Sequence, residues 1–385
     1  MASFDFDEPV DRAGSDSAKW AKYAGRDVIP LWVADMDFGA PPAVLAALRE
    51  RVDHGVFGYN HPTTSQTEAV LAYLRRKFDW MVEAEWIVWL PGLVSGLNVA
   101  CRAVGEPGDA VFTATPIYPP FLGAPGDSGR RVVSAPLVRD SGGWLWDFPA
   151  VDAVLKGSRA RLFQICHPHN PTGRVWTEDE LWQLGALAEK HDLVVCSDEI
   201  HNGLLLDPGC RHRVLAALSP ELAARTITLM APSKTFNIPG LGAAFAVISD
   251  PALRRRFHAA MHGIVPHVNA LGMAATEAAL RSSDDWHAAL LDYLRGNARA
   301  VERAVAALPG LDMRPVEATY LAWIDARDFA ADHGIANPAR HFEQHGLGLS
   351  DGADFGAPGF VRLNFGTRRA LLDDALDRLG RTVRA

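Results

Sequence analysis

What this sequence has little of narrows its class first. Cysteine is scarce: Cys101, Cys166, Cys196 and Cys210 are the only four in 385 residues, and none forms a Cys-x-x-Cys pair. With two of them inside apolar runs (LFQICH and LVVCSD), they read as reduced core thiols rather than a disulfide framework. No window approaches the ~18 consecutive apolar residues of a membrane span. The acidic start, MASFDFDEPVDR, lacks the basic flank and apolar stretch of an export signal. A cytoplasmic protein with no membrane contact is the expectation. Positive charge is thin as well. The formal net charge is -8, and the densest basic cluster, Arg254 to Arg256, suits a solvated helix face. Nothing there resembles the electrostatic footprint that holds nucleic acid. The His167-Pro168-His169 motif has no third ligand at a fitting spacing, so no metal is assigned.

What is present has the balance of a globular protein: 48% hydrophobic and 22% charged residues, enough chain for one large core and a smaller lobe. Apolar positions at helical spacing behind Ser65 predict a helix over residues 66–80, and Thr177 with Glu180 makes a capping box for another. Short β-rich runs at 110–114, 131–137, 161–165, 193–197, 226–230 and 243–248 have the texture of strands buried on both faces. Helical stretches separate most of them. The simplest architecture is α/β, a mostly parallel, doubly wound sheet over roughly residues 45 to 280, with ligands expected at the strands' carboxyl ends. From residue 284 onward a long helix (284–308) and strands near 320–324 and 360–365 indicate a second, α+β lobe. The N-terminal 40 residues, with little periodicity, are expected to wrap back onto it.

Three elements carry chemistry. In Ala231-Pro-Ser-Lys-Thr-Phe-Asn-Ile-Pro-Gly, a lone Lys234 stands among small, apolar and hydroxyl residues after a strand. Burial lowers an ammonium pKa, and a neutral amine attacks an aldehyde; taken alone, Lys234 also fits a phosphate-binding or structural lysine. Asp198 closes the run 193–197 and so points into the crevice at the sheet edge. It is either a cap for the next segment or a carboxylate that keeps a pyridine nitrogen protonated. Asn170, in His169-Asn-Pro-Thr-Gly173, lies in a tight turn and has an amide to donate.

These residues stand in the order Asn170, Asp198, Lys234, 28 and 36 residues apart. Order and spacing together resemble the aminotransferase superfamily of pyridoxal 5'-phosphate (PLP) enzymes, fold type I, over essentially the whole chain. The resemblance implies an aminotransferase-like fold: a large domain (45–283) with a mostly parallel seven-stranded-type sheet flanked by helices, a smaller α+β domain (284–385), and a segment (1–44) packed on the small one. It also implies PLP held as a Schiff base on Lys234 beside Ser233, with Asp198 at the ring nitrogen and Asn170 at the ring oxygen. The loop Leu90-Pro-Gly-Leu-Val-Ser, including Leu93 and Val94, would cradle the phosphate, although by itself it is equally a plain loop. Tyr118 would stack on the ring and Arg362, in Phe-Val-Arg-Leu-Asn-Phe, would fork onto the substrate carboxylate; alone, they read as a turn or core aromatic and an edge-strand charge. Tyr59 resembles a tyrosine that reaches the neighbouring subunit's phosphate and substrate, which implies a homodimer.

Within the superfamily, Pro30-Leu-Trp-Val-Ala34-Asp-Met-Asp-Phe38, Ser-Lys-Thr-Phe-Asn-Ile and Asp-Glu-Ile-His201 look most like the MalY/PatB branch of cystathionine β-lyases and cysteine-S-conjugate β-lyases. Ala34 falls among its substrate-contacting positions, and His201 stands where many aminotransferases place a Tyr that bonds the ring oxygen. The implied activity is carbon–sulfur β-elimination from cystathionine or a related cysteine conjugate. An aminotransferase uses the same cofactor residues, and a regulatory binding protein on the same fold is a third reading. One departure stands out: Asn202-Gly203 follow His201 where the branch usually has a small residue and an acid, so a charge near the pocket mouth is expected to be missing. Trp144 and Trp146 are surface or core aromatics, or else part of an aromatic pocket.

Overall fold

The computed structural model describes residues 4–384. All six expected β-rich runs are strands within one residue of their expected limits, and a seventh joins them. In chain order they are β1 (Ile87–Leu90), β2 (Ala110–Thr115), β3 (Arg131–Pro136), β4 (Ala160–Cys166), β5 (Val194–Asp198), β6 (Thr226–Met230) and β7 (Ala244–Val247). They form one sheet in the order β1-β7-β6-β5-β4-β2-β3. Only β7 runs against its neighbours; the other pairs are parallel. Strand β1 is invisible to periodicity because four residues closed by Pro91 are too few to show one.

Burial explains why the inner strands read as unbroken apolar runs. Every residue of β6 and β7 is buried, as parallel-type sheets covered on both sides require. Alternate residues of β4 serve opposite layers: Leu162 and Cys166 pack with Leu97 and Ile227, while Phe163 and Ile165 pack with Phe112 and Trp176. Trp144 and Trp146 belong to this second layer, each at most 7% exposed, so both are core residues rather than an aromatic pocket. Of the four thiols, three are buried as expected; Cys210 is only half-buried, because it lies in a loop outside the sheet.

The principal helices are α1 (Pro42–Asp53), α2 (Thr64–Phe78), α3 (Leu93–Ala103), α4 (Glu178–Lys190), α5 (Ala270–Ser282), α6 (Asp284–Ala306), α7 (Pro338–Gln344) and α8 (Arg369–Arg384). Helix α4 starts on the anticipated Thr177–Glu180 box. Helix α2 starts two residues earlier than its sequence suggests, because Thr63 rather than Ser65 is the cap. Gln66 N–H donates to the Thr63 hydroxyl at 3.2 Å, and Thr63 N–H donates to Gln66 Oε1 at 2.9 Å. It stops at Asp79, whose φ of 53° breaks the helical path.

After α5 and α6 the chain builds a small antiparallel sheet from β8 (Asp312–Met313), β9 (Leu321–Asp325), β10 (Ser350–Asp351) and β11 (Phe360–Asn364), in the order β8-β9-β11-β10. The N-terminal segment meets this region directly: Ile29–Pro30 pairs in parallel with Leu347–Gly348. It is also pinned by charge. Lys19, fully buried, places Nζ 2.7 Å from Asp37 Oδ2, and Arg12 bridges Asp35 at 2.8 Å and Asp37 at 2.7 Å. A buried ammonium is tolerated only with such partners. These ion pairs tie residues 35–37 to the stretch that precedes them in the same segment.

Candidate active site

Five strand ends of the large sheet open onto one cavity of about 600 Å³. Strand β1 leads to Gly92, Leu93 and Val94; β2 to Tyr118; β4 to Asn170; β5 ends on Asp198 and leads to His201; β6 leads to Ser233 and Lys234. All of these residues line the cavity, with Ala34 from the N-terminal segment and Arg362 from β11. The carboxyl-end rule for open α/β sheets holds. Tyr59 is the exception among the sequence candidates: it is fully exposed and contributes nothing to the cavity of its own chain.

Lys234 has no acidic partner in contact. Its Nζ donates to the Ala34 carbonyl at 2.6 Å, and burial, reinforced by the positive charge of Arg362, lowers its pKa to about 8. The Tyr320 hydroxyl donates to the same carbonyl oxygen at 2.9 Å. Asp198 is 4% exposed and accepts one backbone bond, from Ile200 at 3.1 Å. Burial, with Glu199 alongside, raises its pKa to about 7. It is a carboxylate without a counter-ion, the environment that a pyridinium nitrogen completes.

Arg362 is 4% exposed and triply anchored. Its Nη1 donates to Asn170 Oδ1 at 2.9 Å, and its Nη2 to the Trp32 carbonyl at 2.8 Å and to Ser350 Oγ at 3.3 Å. Its Nε is buried with no partner. Because Asn170 Oδ1 is occupied by a cation, the amide orientation is fixed and its NH₂ remains the free donor. His201 lines the cavity with Nδ1 unpartnered, and burial drops its pKa to about 3, so it is a neutral imidazole. At the phosphate end, α3 has Gly92 as N-cap with no side-chain cap, leaving the first N–H groups of an eleven-residue helix free for an anion. Unpaired acid, amine of lowered pKa, fixed amide donor and uncapped helix together fit PLP.

Three supporting residues escape sequence reasoning. Asn237, at φ 53°, accepts from Met36 N and donates to Met36 O and Phe38 O; Asn364 donates to Val33 O at 2.6 Å and Asp35 O at 2.7 Å. Both amides hold the segment that carries Ala34, as Tyr320 does through its hydroxyl. The only signal in the sequence is a polar residue inside an apolar strand, Asn364, and one beside the lysine, Asn237. The expected loss of charge falls at Gly203, which does not line the cavity and packs against the Thr235 side chain, so it does not occur at the mouth. Asn202 is 5% exposed, accepts from the Tyr73 hydroxyl at 3.0 Å and donates to the Glu199 carbonyl at 2.6 Å, outside the cavity.

The paired histidines of the His-Pro-His motif are occupied elsewhere. His167 accepts from Trp176 N at 3.3 Å, lies 3.1 Å from the Arg213 carbonyl and stacks on His212, which contacts buried Glu199 at 2.8 Å. His169 bonds the Thr172 hydroxyl.

Similarity to known proteins extends along nearly the whole chain. The profile of the aminotransferase class I and II family matches residues 26–379. The chain is 37% identical to cystathionine beta-lyase PatB of Bacillus subtilis (strain 168), covering 97% of this chain and 98% of that one. A crystal structure of OvoB is 46% identical, with a TM-score of 0.96 over 99% of this chain and 100% of that one. Cystalysin from Treponema denticola, whose crystal structure contains PLP, is 31% identical, with a TM-score of 0.93 over 100% and 99%. No helix of the described residues is long and apolar enough to cross a membrane. The chain is a PLP-dependent enzyme of the class I and II aminotransferase family and belongs to its MalY and PatB branch.

Proposed function

We propose that this enzyme is a carbon–sulfur β-lyase that cleaves L-cystathionine or a related cysteine S-conjugate to a thiol, pyruvate and ammonia. The observation that carries the reading is the convergence of Lys234, Asp198 and Arg362 on one cavity, in a chain similar along its whole length to a cystathionine beta-lyase.

When bound, PLP supplies an electron sink for negative charge at the substrate Cα. The remaining work falls to the protein. Arg362 orients the substrate through its α-carboxylate, its planar guanidinium held by Asn170, Trp32 and Ser350. Lys234 Nζ, with a pKa of about 8, takes the Cα proton as general base. The Cβ–S bond breaks with its electron pair on sulfur, and the same Nζ returns the proton to the departing thiolate. The unsaturated amine left behind hydrolyses to pyruvate and ammonia. Asp198 would sit at the ring nitrogen and, once ionised there, keep that nitrogen protonated. Leu93 and Val94 N–H groups would hold the phosphate, and Tyr118, Ser233 and neutral His201 would contact the ring.

Tyr59, exposed in the single chain, is assigned to the phosphate and substrate of a second copy in a homodimer. Four free thiols suit a reducing compartment such as the cytoplasm. The test is pyruvate and thiol release from L-cystathionine with no keto acid present. A strict requirement for a keto-acid acceptor would replace this reading with transamination, which the same residues support.

A further inference from the structure

The floor of the cavity comes from the strand ends of the large sheet, whereas its rim comes from residues 22–34 and 339–355. The rim is charged: Lys22, Arg340, Glu343, Asp351 and Asp354 all line it. Two of these are engaged inside the protein. Glu343 is bridged by Arg26 at 2.9 Å and bonded by the Tyr23 hydroxyl at 3.2 Å, and Asp351 accepts from Asn337 at 2.6 Å and from Ala353 N at 2.9 Å. The other three are not. Among the described residues, neither Lys22, Arg340 nor Asp354 has a side-chain hydrogen bond or an ion pair. Lys22 is positioned instead by stacking, with Nζ 4.7 Å from the Trp32 ring and 5.1 Å from the Tyr23 ring.

Trp32 joins the two regions. Its carbonyl anchors Arg362 at 2.8 Å and its ring carries Lys22. Arg362 and Lys22 thus flank one residue, and the cavity that Arg362 lines continues to a rim holding two uncommitted cations and one uncommitted anion. That surplus suits a second carboxylate, with Asp354 left for an amine beside it; a bare alkyl group would gain nothing from these charges. We propose that Lys22 and Arg340 form an outer carboxylate subsite that selects cysteine conjugates whose departing thiol is itself an amino acid. This rests on the lyase reading above and names its substrate class.

The subsite is tested by binding, independently of elimination. L,L-diaminosuberate replaces the sulfur of L-cystathionine by a methylene; L-α-aminocaprylate has the same length with no second carboxylate or amine. Dissociation constants of the PLP-loaded enzyme for each are read from the shift of the visible cofactor band. The expected result is a preference for diaminosuberate on the order of tenfold, as two partly exposed ion pairs provide. It should disappear in the double variant Lys22→Gln/Arg340→Gln and fall below parity in Arg340→Glu, which repels the outer carboxylate. Equal affinities in the unmodified enzyme, or a preference retained in the double variant, would overturn the proposal. A clear preference without pyruvate from L-cystathionine would uphold the subsite and sink the lyase reading alone.

Discussion

Lys234 and Ala34, 200 residues apart, meet through a hydrogen bond of 2.6 Å from the lysine amine to the alanine carbonyl. A carbonyl is a dipole rather than a counter-charge, so it orients the amine without fixing its proton. With the pKa at about 8, roughly one amine in ten is neutral at pH 7. PLP uptake by the cofactor-free protein is therefore expected to accelerate about tenfold per pH unit below 8 and to level off above it. Stopped-flow absorbance at several pH values measures this, and a flat profile would show that the amine is not the reacting group. Lys234→Ala should lose the cofactor's visible imine band altogether.

Replacing Arg362 by Lys keeps the charge and discards the fork. The three bonds to Asn170, Trp32 and Ser350 cannot be reproduced by one ammonium. A loss of about 2 kcal/mol in substrate binding is expected, seen as KM rising roughly 30-fold with a smaller change in kcat. An unchanged KM would mean that the substrate carboxylate is held elsewhere.

Buried histidines set an acid limit on the cofactor-free protein. His167, His169, His201 and His212 are all depressed to about 3 by burial. A depressed folded pKa means that the unfolded chain binds the extra protons, so stability is lost as pH falls from about 6.5 toward 3. Asp198 and Glu199, both raised to about 7, act in the opposite sense between about pH 4 and 7, because there the folded state holds the protons. The histidines outnumber them, so unfolding takes up about two protons net near pH 5, a slope of about 3 kcal/mol per pH unit. The urea midpoint should drop from pH 6.5 to 5; a midpoint that rises would contradict the balance.

If Tyr59 serves the neighbouring copy's site, inactive variants should rescue each other. Lys234→Ala spoils a site within its own chain, whereas Tyr59→Ala spoils the partner's. Mixing the two after reversible dissociation should form hybrid dimers with one intact site, recovering up to about a quarter of the original activity for random pairing. No recovery, with hybrids shown by mass, would place Tyr59 outside both sites.

The residues legible in the sequence are those whose neighbours exclude other roles. Lys234 lacks acids nearby, Asp198 terminates an apolar strand, and Asn170 sits in a Pro-Gly turn; their order carried the fold with them. Asn237, Asn364 and Tyr320 were not legible, because each acts on the backbone of segment 31–38 across 199 residues or more. Nothing local in a sequence records so distant a partner. The start of α2 was misplaced for the opposite reason: Thr63 and Ser65 are both capable caps, and only the reciprocal bond with Gln66 chooses between them.

The division of the cavity into a floor and a rim has an evolutionary corollary. The floor is fixed by strand geometry, and a substitution there would alter the cofactor's electronics. The rim stands on α7, the turn after β10 and the segment following Lys22, where side chains change without disturbing either sheet. Duplicated copies of such a gene would therefore diverge first in which thiol they release, with the bond-breaking step inherited unchanged.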